Sequence, residues 1–212
     1  MRRQSAPAEN GLSGIRLRLQ DRPVPIEIRD YRPADEQAWL RCRVLSFMGT
    51  AYFDDVMTAK QSPAIGAELV AVEGGAVVGI LDFSMDGGLA TIDTIGVHPD
   101  HQHQGIGTML FELARIRAAA LGATTIDAYT RDDEATLRWY RARGFTESDH
   151  YLHVYANYYA NADEPAEAVE PRPGLLPIKI FLHADLEQEA EMRQKFQRVH
   201  VCRRFAQTID VQ

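Results

Sequence analysis

From Ile26 onward the apolar positions fall into blocks of period two and blocks of helical period. Ile26-Glu27-Ile28-Arg29 alternates as a short strand does. Pro33-Ala34-Asp35-Glu36 opens a helix, with proline and acids in the first turn where the dipole favours them. Trp39, Leu40, Val44, Leu45 and Phe47 supply its apolar face, and Gly49 ends it. A second short helical piece is expected over Tyr52 to Met57. Glu68 to Val72 and Ala76 to Phe83 read as strands joined by a Gly74-Gly75 turn. Gly87-Gly88 turns the chain into a third strand, Leu89 to Val97, which completes an antiparallel meander.

The period then changes. Leu110, Leu113, Ala114 and Arg117 recur at helical spacing, and Gly122 stops that helix. A strand over Thr124 to Tyr129 follows, then a helix from Asp132 to Arg143 ended by Gly144, then a strand from His150 to Tyr158. These elements make residues 25–159 a core. Residues 160–174 are rich in Pro, Ala and Glu and read as a polar loop. Leu176 to Leu182 is strand-like. Asp185 to about Arg204 reads as a helix, because its acids come first and its bases last. Residues 175–212 are therefore expected to extend the core, the strand beside 150–158 and the helix packed on it or on a second copy of the chain. Residues 1–24 read as a disordered lead, in which only Ile15 to Leu19 alternates like a strand.

Composition narrows the class. The chain has 212 residues, 45% of them hydrophobic and 25% charged, which is globular rather than disordered. A net charge of −7 argues against nucleic acid or an anionic membrane as partner. Two cysteines, Cys42 and Cys202, form no disulfide framework. No apolar run of about 18 residues suggests a membrane span, and the two arginines near the start have no apolar stretch behind them. A cytoplasmic protein is the expectation.

One segment carries chemistry. A strand, then Gly105 and Gly107, then a helix start places unbonded N–H groups and a helix dipole where an anion can approach. Gln102 to Thr108 is thus a candidate pyrophosphate cradle. No lysine follows the glycines as a P-loop requires, and no third glycine or βαβ unit supports a dinucleotide fold.

The run Ile95 to Gly107, with Gln102-His103-Gln104-Gly105-Ile106-Gly107 at its end, resembles motif A of the GNAT family of N-acetyltransferases, Q/R-x-x-G-x-G/A. Trp139-Tyr140-Arg141-Ala142-Arg143-Gly144-Phe145 resembles motif B, and the element order from Ile26 to Tyr158 is similar as well. The resemblance implies an α/β (α+β) GNAT fold, a mixed, mostly antiparallel central sheet flanked by helices, here with a C-terminal strand-helix extension. It implies acetyl-coenzyme A as cofactor, with Gln102, His103, Gln104, Gly105, Ile106, Gly107 and Thr108 around its phosphates. It also implies that the backbone of Ile95 and Val97 pairs with pantetheine at a bulged, splayed strand, Gly96 allowing the approach. A backbone N–H near Val97 would then serve the oxyanion.

Tyr140 takes the position of the family's general acid. Its general base often stands where Thr91 stands here, which cannot serve. Asp93, two residues on and on the same face of a regular strand, is the candidate, with His98 the alternative. Asp133 replaces a cofactor-contacting Asn and is suited instead to capping a helix. His98, His101 and His103 lack cysteine or clustered carboxylate companions and fall within a loop already accounted for by phosphate binding, so no metal site is expected. The acceptor surface would draw on Arg43, Tyr52, Phe53, Asp54, Asp55, His150, Tyr151 and His153. The expected activity is transfer of an acetyl group to the amine of a small molecule or peptide. The alternative is a non-catalytic acyl-coenzyme A-binding module acting as a sensor or partner protein.

Overall fold

The computed structural model describes residues 25–209, and the chain divides into two compact units, one running to Ile126 and resuming at Thr208, the other spanning Asp127–Gln207. The alternation at residues 15–19 lies outside the described residues.

In the first unit β1 (Glu27–Asp30), β2 (Gly66–Glu73), β3 (Ala76–Asp86) and β4 (Leu89–Val97) lie in chain order, each pairing antiparallel. Gly74 and Gly75 have φ of +57° and +86°, the left-handed geometry that a two-residue hairpin demands. Val77 to Phe83 are buried without a break, the pattern of a strand covered on both faces. The covers are α1 (Glu36–Phe47) and α2 (Ile106–Ala120). Ile80 packs with Trp39 and Cys42 of α1. A Cβ on its neighbour Gly79 would come within 2.8 Å of Ile106 and 3.0 Å of Leu110 in α2. Adjacent strand residues point to opposite faces, so the two helices sandwich β3.

The buried face of α1 is Trp39, Cys42, Arg43 and Ser46; of the apolar set expected from the sequence only Trp39 is fully buried. Its helical spacing holds because Arg43 has partners where it is buried. Its guanidinium donates to the Asp55 carbonyl at 2.6 Å and the Asp55 carboxylate at 2.9 Å, and lies over the Phe47 ring. The expected helix at 52–57 is a series of turns, whose bonds run from Asp55 N–H to Tyr52 and from Val56 N–H to Asp54. Further along the loop stands Lys60, whose side chain is buried against Tyr31 and Trp39 and pairs with Glu68 and, at 2.8 Å, with Asp82. Burial pushes the Asp82 carboxyl up to about 6 despite that lysine.

The second unit holds β6 (Thr146–Asn157) between β7 (Lys179–Asp185) and β8 (Arg198–Thr208), both antiparallel to it. Strand β5 (Thr125–Thr130) begins in the first unit and continues into the second, where the order is β5-β8-β6-β7. Leu152, Val154 and Ala156 of β6 join Val199 and Val201 of β8 and Phe196 in a core completed by Ile180, Leu182 and Ala184 of β7. Helix α3 (Glu134–Arg141) begins at Asp133, whose carboxylate accepts the Thr136 N–H at 2.9 Å.

Two expectations for this unit are corrected. The polar loop at 160–174 contains a helix, α4 (Glu164–Ala168), with Glu164 and Pro165 buried. The helix expected from Asp185 to Arg204 is only α5 (Glu189–Lys195), preceded by a 3-10 turn and followed by β8. The ordering of acids and bases describes the short α5 well enough. Beyond it, Val199, Val201 and Phe205 alternate into the buried side of a strand, and that burial outweighs the charge pattern.

Candidate active site

The loop between β4 and α2 is built from four local devices. Pro99–His101 forms a 3-10 turn, and the Gln102 side-chain amide donates to the Val97 carbonyl at 3.2 Å. His103 has φ of +60°, a strained value for a residue with a side chain. Gly105 follows at φ +82° as the N-cap of α2, with open space where a Cβ would stand. Gly105 brings no side chain to cap the helix, and the first turn of α2 carries no acid. Backbone N–H groups and the positive end of the dipole therefore face an approaching anion without a competing carboxylate from that turn. Of the nearby histidines, His101 lies 2.9 Å from the Glu73 carboxylate, and His98 Nδ1 accepts the Asp100 N–H at 3.3 Å. Among the described residues no group of three His, Cys, Asp or Glu side chains could hold a metal ion.

Along β4, Ile95, Gly96 and Val97 pair with Leu81, Ile80 and Gly79 of β3. A Cβ on Gly96 would lie 3.0 Å from the Ser46 Cβ, so this glycine admits α1 to the sheet. The bulge sits at Asp93: Phe83 opposes Ile92 and Asp82 opposes Thr94, leaving Asp93 as the extra residue. The strand is therefore not regular there, and period two no longer fixes the side on which Asp93 lies relative to Thr91. Asp93 is exposed and accepts a hydrogen bond from the Ser84 hydroxyl at 3.1 Å.

In the second unit Tyr140 projects from α3 into an aromatic stack and is only 3% exposed. Its ring lies 5.2 Å from that of Phe205, nearly parallel, and edge-on to Trp139 and Phe145. That packing fixes the ring and leaves the hydroxyl as its one reactive atom.

Of the acceptor candidates, Arg43 is committed to Asp55, and His150 lies 3.0 Å from Glu147. His153 is buried, accepts from Arg131 Nε at 3.0 Å and stacks on His183 at 4.9 Å. Burial and the nearby Arg131 charge push its pKa down to about 4. Between that value and the ordinary 6.5, the unfolded chain binds a proton that the folded chain does not. This contribution therefore falls as pH drops from 6.5 toward 4, by roughly 3 kcal/mol, and is unchanged above that window. Denaturant titrations of wild type and His153→Phe should differ by that slope; an imidazole titrating near pH 6.5 by NMR would contradict it.

Beside His153 lies an open cleft of about 420 Å³ lined by Tyr129, Tyr151, His183, Ala184 and Asp185. Sequence reading missed Tyr129, His183 and Asp185. Extending the alternation of β7 past Leu182 shows His183 and Asp185 sharing a face, which is the signal that would have found them.

The antiparallel meander, the glycine-headed helix and the strand-helix-strand that follows define an acyltransferase-type α/β protein. The family model described as Acetyltransferase (GNAT) family matches residues 27–145. The chain belongs to that family, whose members transfer acetyl groups from acetyl-coenzyme A. Among solved structures it is similar to the ribosomal-protein-S18-alanine N-acetyltransferase of Escherichia coli, at 15% identity and TM-score 0.53, covering 87% of this chain and 94% of that one. It resembles YncA of Salmonella typhimurium, solved with its cofactor acetyl-CoA, at 18% identity and TM-score 0.53, with the same two coverages. An N-acetyltransferase from Staphylococcus aureus Mu50 matches at 14% identity and TM-score 0.54, covering 87% and 99%. At these identities the likeness is one of fold. Among the described residues no helix is long and apolar enough to cross a membrane.

Proposed function

We propose that the protein moves an acetyl group from acetyl-coenzyme A to a primary amine by direct attack. The observation that carries this reading is the loop at the head of α2, where left-handed Gly105 opens a helix end free of acids at the position of motif A. Gln102 to Thr108 would hold the pyrophosphate, and the backbone of Ile95 and Val97 the pantetheine arm. Bound there, the cofactor supplies the acetyl group as an activated thioester.

The remaining demands fall on side chains and backbone of this chain. A lysine-like amine is neutral about once in a thousand molecules at pH 7, so attack needs help in shedding a proton. Asp93 is the proposed acceptor of that proton, directly or through water. The Val97 N–H is the proposed donor to the oxyanion, and the Tyr140 hydroxyl the proposed proton donor to the leaving thiolate.

Release of free coenzyme A from acetyl-coenzyme A, followed across a panel of amines, tests the reading. Amine-dependent turnover is expected. Tight binding of acetyl-coenzyme A with no turnover on any amine would make the protein a non-catalytic binding module instead.

A further inference from the structure

We propose that the cleft on the β6–β7 side of the second unit is an organic-ammonium site, and that it receives the acceptor amine as a small molecule with an aromatic or apolar body. The second half of this inference rests on the acetyltransferase reading; the first does not.

The walls are rings. Tyr151 lies 6.2 Å from Tyr129 and 4.9 Å from His183, centroid to centroid. His153 backs the group, 5.2 Å from Tyr151 and stacked on His183. Tyr129 is 46% exposed, so a large aromatic face is open to solvent at the cleft. Asp185 is the one charged residue of the lining, and it stands directly opposite Tyr151 in the β6–β7 register. The buried Arg131 is not part of the lining and donates to His153 and Tyr155, while Arg204, also outside the lining, pairs with Asp127. Ring faces attract a cation through their quadrupoles, and a carboxylate beside them completes the usual recognition of an ammonium group. A cleft of about 420 Å³ accommodates a body of small-molecule size. Four of the five lining residues, Tyr151, His183, Ala184 and Asp185, lie beyond the residues that match the family model. The pocket therefore lies mostly outside the segment that the family model matches, with β7 supplying three of its five lining residues.

Asp185 also has a structural role, as the cap of the 3-10 turn that follows it. The test separates the two roles, because asparagine caps as well as aspartate does. Binding of 2-phenylethylamine to the full chain, without coenzyme A, should be followed by NMR and calorimetry, with 2-phenylethanol as its uncharged counterpart. The amine should bind at least tenfold more tightly than the alcohol. Asp185→Asn and Tyr151→Leu should each weaken amine binding at least fivefold, and Tyr151→Phe less than twofold. Equal binding of amine and alcohol, or an unchanged Asp185→Asn, overturns the ammonium site.

A second arm measures acetylation of 2-phenylethylamine. A rise in KM with little change in kcat in Asp185→Asn supports the cleft as the acceptor site. Unaltered KM in both Asp185→Asn and Tyr151→Leu overturns that assignment while leaving the acetyltransferase standing. Binding that depends on Asp185, with no amine acetylated at all, leaves the ammonium site and removes the enzyme reading.

Discussion

Tyr140→Phe is expected to lower the turnover of acetyl transfer by about 10²- to 10⁴-fold, the usual contribution of a positioned proton donor. The substitution is unusually clean. The Tyr140 side chain stacks on Phe205 and meets Trp139 and Phe145 edge-on through its ring, and phenylalanine keeps that ring. Stability should change by about 1 kcal/mol, the worth of one hydrogen bond. KM for acetyl-coenzyme A should stay within a few-fold, because the phosphate loop is untouched. A variant that turns over within a factor of two of wild type would remove Tyr140 from the chemistry and leave it a packing residue.

Glu164→Leu should cost the second unit about 2 kcal/mol of stability. Glu164 is buried at the head of α4, and each of its carboxylate oxygens accepts one backbone N–H. Oε2 takes that of Asn157 at the end of β6, and Oε1 that of Gln197 just before β8, both at 2.8 Å. Leucine fills the space but removes the acceptor of two part-buried backbone donors, at about 1 kcal/mol each. Glu164→Gln, which retains an acceptor oxygen for one of them, should lose roughly half as much. Chemical denaturation followed by hydrogen exchange at Asn157 and Gln197 would report both effects. Unchanged protection of those two amides in Glu164→Leu would show that the carboxylate is not their anchor.

These two residues also mark where sequence reading succeeded and where it stopped. Tyr140 was legible because a local motif, a tyrosine before Gly144-Phe145, travels with its structural surroundings. The meander was legible because hairpins are local and Gly74-Gly75 announces one. Glu164 was not legible, since its partners lie 7 and 33 residues away and only the fold brings them together. The segment 160–174 looks polar because its one buried charge is satisfied by backbone, which composition does not reveal. The direction of Asp93 was lost to a bulge that depends on the pairing with β3, not on β4 alone. The charge order of residues 185–204 misled for a related reason. It describes a surface, whereas Val199, Val201 and Phe205 answer to a core.

The position of β8 has a bearing on how the protein is made. Of all the described strands it leaves the ribosome last, yet it stands between β5 and β6. Until residues 198–208 are free, a nascent chain presents two unpaired strand edges, with Leu152 and Val154 short of their neighbours Val201 and Val199. Such edges are templates for association with other chains. Premature termination anywhere between α5 and β8 should therefore be more damaging than its length suggests. The product would retain the phosphate loop and Tyr140, yet accumulate as aggregate, dependent on chaperones for as long as its central strand is missing.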